Sequence, residues 1–139
     1  MTDMHELRNL IGSWARKAEH DLTSASATLK VRPHCPSDTV CFHAQQCAEK
    51  YLKALLVLRG ISFPRTHDIE ALVALLPSGN PPPLTPEEEA QLTRYATISR
   101  YPGDYPEPTL TEAREAVRIA RRVRRWCRKL LPRAVLRKE

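Results

Sequence analysis

No Cys-x-x-Cys pair occurs among the four cysteines of this chain, Cys35, Cys41, Cys47 and Cys127. That absence argues against a disulfide frame and for reduced thiols in a cytoplasmic protein. Cys41-x-His43 with Cys35 has no second spaced pair to close a tetrahedral site, so neither a metal nor another cofactor is expected. The cysteines read instead as small apolar packing residues. Long apolar runs are missing too. None approaches the roughly 20 residues that cross a bilayer, and the acidic, polar opening MTDMHEL is not a signal peptide. A membrane protein is thereby excluded, and a soluble one is expected.

What is present suits a single domain over residues 1–139, long enough to bury a core without staples. Charge is unevenly spread. The stretch 114–139 holds nine arginines and two lysines against Glu115 and Glu139, a net +9; the whole chain is +6, so everything before it sums to −3. The basic balance belongs to one C-terminal helix and tail, 112–139.

The central stretch, Val40 to Gly60, has the spacing of an amphipathic helix. Cys41, Ala44, Cys47, Ala48, Tyr51, Leu52, Leu55 and Leu58 share one side, while Phe42, His43, Gln45, Gln46, Glu49, Lys50 and Lys53 share the other. That second side is either a functional face or a solvated one laced by ion pairs such as Glu49 with Lys53. An earlier helix is predicted from near Asp3 toward Leu29, on the three-and-four spacing of Leu7, Leu10, Ile11, Trp14, Ala18, Leu22, Ala25 and Leu29. Pro33 and Pro36 break the chain after it, and Ser37 or Asp38 is expected to cap the central helix. Beyond Gly60, placed as a C-cap, Thr66 is expected to cap a short helix through Leu76 with His67 in its first turn. Thr85-Pro86-Glu87-Glu88 makes a capping box for the next helix.

Arg100-Tyr101-Pro102-Gly103-Asp104-Tyr105-Pro106-Glu107-Pro108 follows, a run whose prolines and glycine forbid a helix interior. It offers a planar guanidinium for phosphate or carboxylate and two tyrosines for stacking or hydrogen bonding, or else serves as a rigid connector packed on the bundle. Thr111 is expected to cap the last helix, to about Leu131. Its buried arc comprises Ala113, Ala116, Ile119, Ala120, Val123, Trp126, Cys127 and Leu130. Arg114, Arg118, Arg121, Arg122, Arg125, Arg128 and Lys129 fall opposite, an array suited to a polyanion or simply a solvated face, with no interleaved aromatics.

Four stretches carry a family resemblance. They are Trp14-x3-Ala18-x2-Asp21-Leu22; Phe42-His43-Ala44-Gln45-Gln46-Cys47-Ala48-Glu49-Lys50-x-Leu52-Lys53-Ala54-Leu55-Leu56; Gly60-x2-Phe63-x3-His67-Asp68-Ile69; and Arg100-Tyr101-Pro102-Gly103. Together they resemble the HEPN family (higher eukaryotes and prokaryotes nucleotide-binding). The resemblance implies an all-α fold, an up-and-down four-helix bundle with a short additional helix, which pairs as a homodimer in a prokaryotic cell. It further implies a toxin–antitoxin setting with a minimal nucleotidyltransferase (MNT-type) partner and a groove between protomers where nucleotide or RNA binds. By position, Gln46, Lys50, Lys53, Arg100, Tyr101 and Asp104 are similar to the polar residues of that groove. Ribonuclease members carry an arginine followed, after four to six residues, by a histidine. No histidine falls in that window here, and Arg100 is followed at that distance by Tyr105, whose ordinary pKa near 10 makes it a poor base at neutral pH. Two readings follow: a non-catalytic nucleotide- or RNA-binding module, or a metal-independent endoribonuclease with a divergent site drawn from Arg100, Tyr105, His67 and His43.

Overall fold

The computed structural model describes residues 3–98, 102–103 and 106–136, with the backbone alone at Ile98. Arg100, Tyr101, Asp104 and Tyr105 lie outside these described residues. Five α-helices make up the described chain: α1 (Met4–Leu29), α2 (Ser37–Leu58), α3 (Ile69–Leu75), α4 (Pro86–Ile98) and α5 (Leu110–Leu130), with a 3₁₀ turn at Arg133–Leu136. No strand occurs among the described residues, and no helix there is long and apolar enough to cross a membrane. The fold is all-α, as the helical periodicity predicts.

Local chemistry sets the helix ends. Asp3 caps α1, its side chain accepting from the His5 amide. At the start of α2 the expected cap is not made: Ser37 and Asp38 already lie inside the helix and Pro36 precedes it with no side-chain hydrogen bond. Asp38 sits in the first turn, where its charge favours the exposed amides. Gly60 ends α2 in the left-handed region, φ +70, as the amides of Gly60 and Ile61 bond back to the carbonyls of Val57 and Leu56.

Asp68, not Thr66, caps α3 by accepting from the Ala71 amide, which leaves His67 in the preceding segment rather than in the first helical turn. Thr66 bonds the Asp68 amide instead. Thr85 and Glu88 form the predicted capping box of α4. The cap of α5 lies two residues before the expected one. Thr109 pairs reciprocally with Glu112, a Thr-x-x-Glu box that Thr111 lacks the partner to make.

The core collects on α2, which packs against α1, α3, α4 and α5. Its Ala44, Cys47 and Ala48 meet helices that are also rich in buried alanine, Ala15, Ala18 and Ala25 on α1 and Ala113, Ala116 and Ala120 on α5. Small side chains let helix axes approach closely. Tyr51, Leu52, Leu55 and Leu56 fill the remaining volume with Ile69, Leu72 and Leu92. All four cysteines are free; burial raises the Cys41 thiol to about 12 and also drives Cys47 and Cys127 up, so these three are packing groups rather than nucleophiles.

Candidate functional site

The polar side of α2 is not a solvated face. Gln45 is 0% exposed, Glu49 2% and Lys53 6%, because α1 and the segment 61–68 close over them. Glu49 is the hub. Its Oε1 accepts from Gln45 Nε2 at 3.0 Å, Gln46 Nε2 at 3.2 Å and His67 Nδ1 at 2.8 Å, while its Oε2 accepts from Lys53 Nζ at 2.8 Å. Gln45 Nε2 also donates to the His67 carbonyl at 3.0 Å, and Gln46 Nε2 to Gln45 Oε1 at 2.7 Å. The Lys53 ammonium stands 5.4 Å from the centroid of Trp14 and 5.7 Å from that of Phe63, two rings that meet edge to face. Burial pushes the Glu49 carboxyl up, but the hydrogen bonds from Lys53, Gln45 and His67 outweigh it and hold the group below its ordinary value.

A second set repeats the motif where α1 meets α2. Asp21 Oδ1 bonds His43 Nδ1 at 2.8 Å, and Asp21 Oδ2 accepts from Lys50 Nζ at 2.6 Å. Each set is therefore an imidazole and an ammonium bridged by one carboxylate. An ionised carboxylate only accepts, so it fixes the proton of each ring on Nδ1 and turns Nε2 into the free functional atom. Both rings reach solvent: the His43 side chain is 29% exposed and that of His67 48%. An imidazole held this way takes up or gives a proton at Nε2, and when charged it donates to an anion.

A third knot ties the elements together. Tyr51 hydroxyl donates to Glu19, Arg124 Nε donates to Glu19 Oε2 at 2.6 Å, and Arg128 donates to the Tyr51 oxygen at 3.2 Å. Burial raises the Tyr51 hydroxyl, and Glu19 beside it adds to the effect. This is a neutral structural phenol at physiological pH, linking α1, α2 and α5.

The structure thus gathers Gln46, Lys53 and His67 around one carboxylate, and His43 with Lys50 around another. Sequence spacing did not select Asp21, Gln45 or Glu49 as site residues; the available signal was their presence in the motif stretches. On α4, Thr93 Oγ accepts the Ile69 amide at 3.0 Å, which docks this helix beside the His67–Asp68 segment. Among the described residues, no group of three or more His, Cys, Asp or Glu is arranged to hold a metal ion.

Comparison with known proteins gives concordant results. A family model for the HEPN domain matches residues 11–130. The crystal structure of TT1696 from Thermus thermophilus superposes with a TM-score of 0.71 at 30% identity, covering 88% of this chain and 99% of that one. The crystal structure of ST0689, an archaeal HEPN homologue, gives 0.64 at 29% identity, covering 86% and 96%. Among curated proteins, "Putative toxin MJ1304" of Methanocaldococcus jannaschii is 50% identical over 50 residues, 36% of this chain; the match takes in only 31% of that protein's length.

Proposed function

The chain belongs to the HEPN domain family, and on that footing we propose that it is a toxin-type module that binds nucleotide or RNA phosphates beside His43 and His67, acting as a homodimer with a minimal nucleotidyltransferase partner. The observation that carries this reading is the Glu49 network. A buried ion pair adds little net stability and is costly to leave half satisfied. Three buried polar side chains committed to holding one carboxylate under a half-exposed imidazole are better explained by a site than by folding. In this reading Gln46 and Lys53 position Glu49, Lys50 uses its remaining donors at the surface, and the Arg100–Tyr101 stretch supplies phosphate and stacking contacts. The likeness to the Methanocaldococcus protein supports the toxin setting.

One feature favours a second reading, a metal-independent endoribonuclease. Imidazoles oriented through Nδ1 have the arrangement a general base requires, so in this reading His67 or His43 supplies the base that the absent arginine–histidine spacing does not. Incubating the purified chain with total RNA in EDTA separates the two. Intact RNA together with saturable nucleotide binding supports the module, whereas cleavage that disappears in both Arg100→Ala and His67→Ala supports the enzyme. A chain that neither binds nor cleaves ends both.

A further inference from the structure

The cations of α5 do not form one undivided face. Arg122 donates to the Glu88 carboxylate at 2.9 and 3.0 Å and to the Pro83 carbonyl at 3.2 Å, while Arg124 and Arg128 are held by Glu19 and Tyr51. These three tie α5 to its neighbours. Arg114, Arg118, Arg121, Arg125 and Lys129 are left outside, all exposed. At 100° per residue they fall within an arc of about 80°, and they extend along about 22 Å of helix.

Little among the described residues offsets this row. Arg118 pairs with Glu115, an exposed neighbour one turn away whose attraction is weak. Arg121 donates to Ser26 Oγ of α1 at 2.9 Å. Among the described residues, Arg114, Arg125 and Lys129 meet no carboxylate, and neither does Lys30 at the C-terminal end of α1. Beside Arg121 the row opens into a groove of about 410 Å³ between α1 and α5, where Thr23 and Ser26 supply hydroxyls and Lys30 a further positive charge, while Glu19 on its wall is taken up by Arg124. Like charges at three- and four-residue spacing repel one another, so the row favours a counter-charge from outside.

The surroundings narrow what that counter-charge is. A protein partner needs an apolar centre to its interface, and a lipid surface needs apolar side chains to insert. The exposed large hydrophobics of the described chain are Met4, Leu10, Val31 and Leu75, none of them on α5. Cations without apolar anchors, recurring every 4.5–6 Å of helix and about 5.6 Å on average, suit a ligand that is itself a row of charges. We propose that the outer face of α5, with Ser26 of α1 and Lys30 just beyond its end, is a track for the phosphodiester backbone of single-stranded RNA, separate from His43 and His67. Tyr51 faces α5 and Glu49, which holds His67, lies about 200° around α2 from it, while Asp21, which holds His43, lies about 140° around α1 from Ser26; these angles set the surfaces apart. The ligand's class rests on the functional reading above; the surface does not.

The test is fluorescence anisotropy of a labelled oligouridine of about 20 nucleotides, titrated at several KCl concentrations. About five neutralised phosphates predict a slope of log K against log salt of about −3.5. In the variant Arg114→Gln, Arg118→Gln, Arg125→Gln, Lys129→Gln, all at exposed helix positions, the slope should shrink toward about −1 and affinity in low salt should fall at least about tenfold. Circular dichroism should be unchanged. An unaltered slope in that variant, or no binding by the wild type at low salt, overturns the proposal, as does equal affinity for polyglutamate of matched charge. His43→Ala with His67→Ala should leave the oligouridine slope intact, so lost mononucleotide binding in that double variant bears on the α2 site alone.

Discussion

Glu49 concentrates the chemistry of the central helix at a single residue. Replacing it with alanine leaves the Lys53 ammonium buried without its counter-charge, and breaking such a pair costs about 3–5 kcal/mol. Urea unfolding of Glu49→Ala should show that loss. The carboxyls of Glu49 and Glu19 are both held below their ordinary value of 4.5 in the folded protein. Groups depressed on folding contribute stability above the unfolded value and lose it as pH falls through the folded one. The melting temperature should therefore hold steady near neutrality and decline on acidification below 4.5, and Glu49→Gln should flatten part of that decline. His67 contributes little to stability by comparison. With its ring half in water, His67→Ala should cost no more than about 1 kcal/mol, yet reduce nucleotide binding or RNA cleavage at least tenfold. Unchanged binding and cleavage in a stable His67→Ala protein would remove this imidazole from the site.

Among the elements, helix existence was legible, and the starts of α1 and α4 were legible as well. The Asp3 start of α1 and the Thr85–Glu88 box of α4 stand where side-chain chemistry predicts them. At α5 two threonines competed, and only Thr109 has a glutamate three residues on. Thr109→Ala should therefore lower stability by about 1 kcal/mol, while Thr111→Ala should change it by less than about 0.5 kcal/mol. Equal effects in thermal melts would contradict the cap assignment. The polar side of α2 was the larger departure. Periodicity reports which residues lie together on a helix but not which neighbours cover them, so a face rich in glutamine, glutamate and lysine read as outward although it is closed over by Trp14, Phe63 and His67. On α5 the same limit applied in reverse. Arg122 and Arg128 share a helical side with the exposed row but bend inward to Glu88 and Tyr51.

For the molecule as a whole, the homodimer remains the proposal on which the nucleotide groove depends. Light scattering should give about twice the 15.8 kDa chain mass at micromolar concentration; a monomer would leave α2 and the Arg100 stretch without a partner surface. The amino-acid order alone determined that the chain is helical, which residues can line its core, and to which family it belongs, because those properties follow from spacing and local hydrogen bonding. Only the tertiary structure decided which charges are spent inside and which remain exposed. His43 finds Asp21 22 positions away, and Arg124 finds Glu19 across 105. Such pairings depend on how helices dock, and no local pattern encodes that.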